Sequence, residues 1–596
     1  MKFPYGISDF QRVITGGYFY VDRTGSIPQI EASGDQLLFL RPRRFGKSLL
    51  LSMLENYYDL GRAGDFEQTF GRLAIGAQPT PLHNRYFVLK LDFSTVQTFG
   101  DASHIAQLLY NHINTTIHFF ASYYHAWLSV PIEINANDAL ASLQSLAAAV
   151  RQSDHRLYLL IDEYDNFANE VLMSSVRDGQ RRYEELVKGE GVFKSFFKVI
   201  KSVSSGGGLE RVFITGVSPV VMADISSGYN VAKNIYLRPE FNGLCGFTES
   251  EIADALQQVA NGCHFDSDQS AAALTMMRTY YNGYRFHHAA AEPIYNPTLA
   301  LYFLETLQDS CHYPDEMLDA NLAMDRSRIA YIAQLGGAEQ LVATILNETQ
   351  PLVTATLAQR FGAADILSGD PKGVEYLAAL LYYLGVLTLD GRTELNEYLL
   401  RIPNVVVREL YATRLRDLWL PSGIDQDAGR QAARTYFLSG DLQPVCDFIE
   451  RKYFTIFDNR DYLSANELTI KTVFLTLLFN DKVYLVDSET AIQRTYADLT
   501  LMRRPDMLQN PQLADLLLEF KFVKLSEIGL SGVALRETPL TDLRQLAPVQ
   551  EKLQEARRQL QLYSSTLQAH YGPLLRLRTY AVVALGFDRL VWEDVA

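Results

Sequence analysis

Over the first 220 positions, apolar residues fall in short unbroken runs, and each run stops at residues able to carry chemistry. Residues 37–40 (LLFL), 86–91 (YFVLKL), 157–161 (LYLLI) and 211–215 (RVFIT) are of this kind. An unbroken apolar run is the pattern of a strand buried on both faces, as in a parallel sheet. Between the runs, residues 48–58, 102–129 and 136–151 have the three-to-four spacing of helices. Strand, loop and helix in alternation predict a doubly wound parallel sheet. The pattern then changes. Residues 246–435 read as mostly helical, with a capping box at Thr248 and Glu251 and helical spacing at 299–307, 338–346 and 376–384. A short strand and turn at 385–391 allow a winged-helix-like lid; a plain helical connector is the alternative. From 436 a third pattern begins: a helix at 466–479, then strands near 482–486, 496–502, 514–522 and 581–587. The expected domains are therefore 1–245, 246–435 and 436–596 of an α/β multidomain chain.

The first run leads directly into RPRRFGKS (residues 41–48), and a helical pattern starts at once. A strand, a turn and a helix N-terminus form an anion site, because backbone N–H groups and the helix dipole face the ligand. Lys47 would reach the β and γ phosphate oxygens, Ser48 would hold Mg2+, and Gly46 and Arg43 complete the nucleotide-binding set. Arg41 stands where the general phosphate-loop pattern has its first glycine, followed by Pro42. The 157–161 run ends in Asp162 and Glu163, where ligands bind in open α/β sheets. Asp162 would share the Mg2+ with Ser48, and Glu163 would orient the attacking water. Thr215, at the end of the fourth run, is placed to sense the γ-phosphate. The aromatic segment at 18–20 is either edge packing or a cover for the nucleotide base.

In the third block Glu519 and Lys521 interrupt the apolar run 514–522. Alternation puts both on one side of a strand, and burying them is costly unless partners meet them. Asp498 on the neighbouring strand is the expected partner. Two carboxylates on Mg2+, with a lysine to position water, make a site for phosphodiester hydrolysis. If the two strands form a hairpin with its tip near 508, the residue opposite Asp498 is close to 518. Asp506, which follows Pro505, then lies at the tip and is expected to be a solvated loop residue.

These segments resemble two known families. YFYVDRT, LRPRRFGKS, LLIDEYDNF and FITGVSP, followed by EFNGLCGFTESEI, YNGYRF and YNP, resemble the AAA-ATPase-like proteins of prokaryotes over residues 1–300. That resemblance implies ATP as ligand and accommodates Arg41. Residues 466–587 are similar to the PD-(D/E)xK nuclease superfamily. The similarity implies a restriction-endonuclease-like α/β domain in which Asp498 and Glu519 bind metal and Lys521 is the catalytic lysine. It further implies Glu467 as an added helix acid and Gln559 with Tyr563 as a supporting Q-x-x-x-Y pair. The implied function is an ATP-binding ATPase-like protein with a Mg2+-dependent nuclease domain. The alternative is a signalling ATPase whose nuclease-fold domain binds nucleic acid without cutting it.

Charge and composition narrow the partners. The 596 residues carry a net charge of −15, which argues against nucleic acid covering the whole surface. Residues 430–596 hold 20 basic and 21 acidic side chains, so the deficit lies in the first 429 and the last block can meet a polyanion. Nucleic acid, DNA ahead of RNA, is the expected partner beside ATP; homo-oligomerisation is left open. The longest apolar run, 377–389, is shorter than the ~20 residues that span a bilayer. Cys245, Cys263, Cys311 and Cys446 form no C-x-x-C pair, so a cytoplasmic protein with reduced thiols and no membrane contact is expected.

Overall fold

The computed structural model describes residues 1–173, 178–187, 191–225, 229–318, 351–357, 373–457, 466–487, 490–492, 495–530 and 532–595, with 341, 345 and 346. The chain divides into two compact units, Met1–Cys311 with Val353–Leu400, and His312–Leu352 with Arg401–Ala596. The 246–435 block is thus shared between them. Most of the helical spacing at 338–346 falls outside the described residues. None of the described helices is long and apolar enough to cross a membrane.

The first unit is built on five parallel strands: β1 (Gln36–Leu40), β2 (Tyr86–Asp92), β3 (Arg156–Asp162), β4 (Leu209–Gly216) and β5 (Lys233–Asn234). Their spatial order is β2-β3-β4-β1-β5. Because all run the same way, the polar ends of β1, β3 and β4 emerge at one edge. Phe39 of β1 lies opposite Thr215 of β4, and Ile161 of β3 opposite Ile214. The helix Lys47–Tyr58 returns over the sheet, with Leu51, Leu54 and Tyr58 buried and the Tyr58 ring 4.9 Å from that of Tyr158. Helices Glu249–Gly262, Ser267–Tyr281 and Pro297–Ser310 follow. The expected short strand appears as β7 (Thr388–Arg392), in a three-stranded sheet with β6 (Leu352–Thr354) and β8 (Tyr398–Arg401), ordered β6-β8-β7.

The expectation of reduced thiols does not hold for two of the four cysteines. Cys263 and Cys311 cap the C-terminal ends of two neighbouring helices, 5.4 Å apart at Cα, and are joined in a disulfide. Cys245 and Cys446 are free and buried.

The second unit holds β9 (Tyr484–Asp487), a small hairpin of β10 (Thr490–Ile492) and β11 (Thr495–Ala497), then β12 (Leu499–Arg503), β13 (Asp515–Val523), β14 (Leu577–Leu585) and β15 (Arg589–Asp594). The main sheet is mixed, with order β15-β14-β13-β12-β9 and only β13–β14 parallel. The two faces of β13 meet different helices. Leu517 and Val523 join Leu553, Leu560 and Tyr563 of the helix Ala547–Tyr571 in one apolar cluster. Phe520 turns the other way, its ring 4.8 Å from Phe474 on the helix Glu467–Leu478.

A buried ion pair closes the turn end of the β12–β13 hairpin. The Arg503 side chain is fully buried, and its Nη2 lies 2.9 Å from Asp515 Oδ2. Asp515 also accepts from the backbone N–H groups of Arg503 and Arg576. Removing one partner strands a buried charge, which typically costs about 3–5 kcal/mol. Asp515→Ala is therefore expected to lower stability by that order, and Arg503→Met with Asp515→Leu by much less. Urea unfolding of the full chain followed by near-UV circular dichroism checks this.

Candidate functional site

At the C-terminal edge of the parallel sheet, the loop after β1 turns through two left-handed residues, Arg44 (φ 66°) and Gly46 (φ 90°). Arg44 is not a residue type that favours this region, and its carbonyl is held by Thr298 Oγ1 at 2.9 Å. Lys47 opens the following helix and is only 4% exposed. Its Nζ donates to Pro42 O at 3.0 Å. Burial lowers the Lys47 pKa, with Glu163, Asp162 and Asp165 acting against that effect. An ammonium desolvated beside a helix N-terminus is the donor set that phosphates fit. Gly46, Lys47, Ser48 and Glu163 line a cavity of about 290 Å³, whose further wall includes Phe19 and Tyr20. The aromatic segment read as edge packing or base cover therefore faces the same cavity as the phosphate loop.

Asp162 is buried at the end of β3, with its Oδ1 accepting from Thr215 Oγ1 at 2.6 Å and from the Glu163 N–H at 3.0 Å. Thr215, assigned from sequence to the nucleotide, is fully buried and directs its hydroxyl at this acid. Glu163 sits at φ 49° with its carboxyl pushed up by burial and pulled down by Lys47 and Arg43. Arg43 Nη2 donates to Asn166 Oδ1. Asp165, which the sequence reading passed over, accepts from the N–H groups of Val217 and Ser218 and so fixes the end of β4.

Arg41 is turned away from the phosphate position. Its guanidinium donates to the carbonyls of Leu40, Tyr236 and Phe241 at 2.9, 2.9 and 2.6 Å. It also stacks over the Phe286 ring at 3.9 Å. It is a strut under the loop, occupying a position where other phosphate loops need only a small residue.

The second unit brings its charged residues together on β12, β13 and the flanking helix. Leu499 pairs with Leu518, which sets Asp498 beside Glu519, one residue from the register expected from sequence. Asp498 Oδ2 accepts from the Phe520 N–H at 2.9 Å. Lys521 Nζ lies 2.8 Å from Glu519 Oε1 and 3.7 Å from Glu467 Oε1. Glu467 is nearly half exposed and faces Lys521, and among the described residues no three metal-binding side chains converge. Glu467, the added helix acid, therefore stands beside Lys521. A residue absent from the sequence reading joins the group: Lys471, with Nζ 3.6 Å from Asp498 Oδ1. Its signal was available, since it follows Glu467 by four positions on one helix.

Gln559 and Tyr563 lie on the helix facing Leu517 and Val523, Tyr563 within the apolar cluster and Gln559 with a buried Oε1 that has no hydrogen-bond partner. Asp506 is far from this group, in the turn Pro505–Met507, and both its oxygens accept from the fully buried Arg504. It is pinned by that arginine and only partly solvated.

Glu519 Oε2 is buried with no hydrogen bond of ordinary geometry among the described residues, next to a second carboxylate and near the Asp498 N–H. Burial first, then Asp498, pushes the Glu519 carboxyl up to about 8. Both effects are what a divalent cation relieves, so the residues fit one. The folded value exceeds the ordinary carboxylate value, so the folded chain holds a proton that the unfolded chain has lost. Stability contributed here falls as pH rises from the ordinary carboxylate range to about 8. A cation must displace that proton. Mn2+ affinity is expected to rise roughly tenfold per pH unit below about 8 and then level, as titration calorimetry at several pH values will read.

A curated relative from Azotobacter chroococcum mcd 1, described as an uncharacterized protein in the vnfD 5' region, is 25% identical over 443 residues, or 72% of this chain and 73% of its own. The Walker-type ATPase PABY2304 of Pyrococcus abyssi aligns at a TM-score of 0.34 with 14% identity, covering 66% of this chain and 96% of that structure. The ORC2 protein of Aeropyrum pernix, solved as ADPNP–ADP complexes, aligns at 0.33 with 12% identity over 68% of this chain and 98% of that one. Residues 4–226 match the family model described as predicted AAA-ATPase. That span includes β1 to β4, the phosphate loop and the acids of β3, so this part of the first unit is similar to the predicted AAA-ATPase family.

Proposed function

We propose that this protein binds and hydrolyses MgATP in its first unit and cuts nucleic-acid phosphodiesters in its second. The single observation that carries the second half is the convergence of Asp498, Glu519 and Lys521, two carboxylates and a lysine inside an otherwise apolar sheet. A packing role for these groups is poorly served by Glu519 Oε2, which is buried with no hydrogen bond of ordinary geometry among the described residues, at a cost that an apolar residue would avoid. In this reading the second unit is a restriction-endonuclease-like domain of the PD-(D/E)xK kind, and its substrate is DNA ahead of RNA.

In the first unit, Lys47 and the N–H groups of the loop bind the phosphates. Ser48 and Asp162 would hold Mg2+, which neutralises charge on the β and γ oxygens when bound. Thr215 orients Asp162, and Glu163 is placed to align a water. In the second unit, Asp498 and Glu519 would hold the divalent cation, whose contribution is Lewis-acid stabilisation of the phosphoryl oxygens. Lys521, paired with Glu519, keeps its ammonium at the site, where it can meet developing negative charge.

Lys47→Ala is expected to weaken ATP binding at least roughly tenfold by calorimetry, and Glu163→Gln to keep binding while slowing phosphate release into solution. Equal affinity of wild type and Lys47→Ala would show that the loop is only a turn. With single- and double-stranded DNA and RNA as substrates and Mg2+ or Mn2+ present, Asp498→Ala, Glu519→Ala and Lys521→Ala should each reduce cleavage by several orders of magnitude. Asp506→Ala should cut at close to the wild-type rate. Retained nucleic-acid binding by wild type with no cleavage of any substrate would favour the binding platform.

A further inference from the structure

We propose that Arg23 is the positioning residue for the base of the bound nucleotide, fixing the aromatic wall of the cavity against the loop 244–247. The inference rests on the nucleotide-binding reading of the first unit given above.

Arg23 ends the aromatic segment 18–23 that lines the cavity beside the phosphate loop. Its guanidinium meets an acid 228 positions along the chain. Nη1 donates to Glu251 Oε1 at 2.6 Å, and Nη2 donates to Glu251 Oε2 at 2.8 Å. Nη2 also donates to the Gly246 carbonyl at 2.8 Å. A forked pair of this kind fixes orientation as well as distance. Gly246 has φ 94°, and a Cβ there would lie 2.9 Å from the Tyr295 carbonyl oxygen, so the turn that offers its carbonyl to Arg23 requires glycine. Burial alone would raise the Glu251 carboxyl. Arg23, with the Thr248 N–H, brings it below its ordinary value.

The helix Glu249–Gly262 does not need this pair in order to start. Glu251 Oε2 accepts from the Thr248 N–H, and Thr248 Oγ1 from the Glu251 N–H, which closes a capping box without Arg23. What Arg23 adds is the junction of two stretches of cavity wall. One carries Phe19 and Tyr20, the other Cys245, Gly246 and Phe247, and the Phe19 and Phe247 rings lie 5.8 Å apart. Tyr20 OH accepts from the Arg23 N–H at 3.3 Å and donates to Met53 Sδ at 3.7 Å, on the helix that Lys47 opens. The wall is thus tied to Glu251 on one side and to the phosphate-loop helix on the other. Its aromatic lining suits the face of a planar base and offers nothing to a polyphosphate. Both terminal nitrogens of Arg23 are taken by protein acceptors, so it acts on the base through the wall.

The test uses the full-length chain, with ATP and inorganic triphosphate as the two probes, each with Mg2+ and each read by titration calorimetry. Wild type is expected to bind ATP more tightly than triphosphate. Arg23→Met should weaken ATP roughly tenfold and leave triphosphate within about twofold of wild type. Lys47→Ala, by contrast, should weaken both probes. Arg23→Lys should recover part of the ATP affinity, since the charge stays while the fork is lost. Glu251→Gln keeps an acceptor for the capping box and removes the charge, and it should weaken ATP in the same direction by less. Retained triphosphate binding shows that the variants are folded. Unchanged ATP affinity in Arg23→Met, or an equal loss for ATP and triphosphate, would overturn the assignment while the nucleotide reading stands. Wild type that binds neither probe would overturn the nucleotide reading and this assignment with it.

Discussion

A strand buried on both faces admits charge only where a partner is built for it, and this constraint organises both units. In the parallel sheet the solution is to keep β1 and β3 apolar along their length and place Lys47, Asp162 and Glu163 just past their ends. In β13 the charges stand within the strand, and the solution is the 2.8 Å contact of Lys521 with Glu519, with Asp498 and Lys471 supplied from adjacent elements. Charge at strand ends exploits the helix N-terminus and the open edge of the sheet. Charge inside a strand demands a closed set of partners, and among the described residues Glu519 Oε2 is the buried atom of that set without a hydrogen bond.

The same constraint explains the supporting arginines. Arg41, Arg503 and Arg504 are among the most buried side chains, and each ends on carbonyls or a carboxylate: Arg41 on Tyr236 and Phe241, Arg503 on Asp515, Arg504 on Asp481 and Asp506. A planar guanidinium with five donors in a fixed fork satisfies several acceptors at once. Arg41 fixes the base of the phosphate loop, and Arg503 and Arg504 fix the turn that joins β12 to β13.

Arg43, Thr215 and Glu467 show how roles shift between neighbours in a folded site. Each stands in the region expected of it, yet the atom it meets is a protein group: Asn166, Asp162 and Lys521. Motif spacing alone does not reveal these contacts, because the partners lie on other segments of the chain.

What the sequence by itself determined was local. The apolar runs of β1 to β4, the loop with Lys47 and Ser48, the acids after β3, and the E-x-K interruption of β13 were legible because periodicity and the cost of burying charge act along the chain. The Asp498–Glu519 register was legible to within one residue, since hairpin pairing follows from the position of the turn. Only the tertiary structure decided what depends on distant segments meeting. The joining of Cys263 to Cys311 needed two helices to end side by side. The inward turn of Arg41 needed acceptors about 200 positions away, and the approach of Lys471 to Asp498 needed a helix packed across the strands. Such contacts have no periodic trace in the chain, because the energy that selects them is gained only once the partners have been brought together.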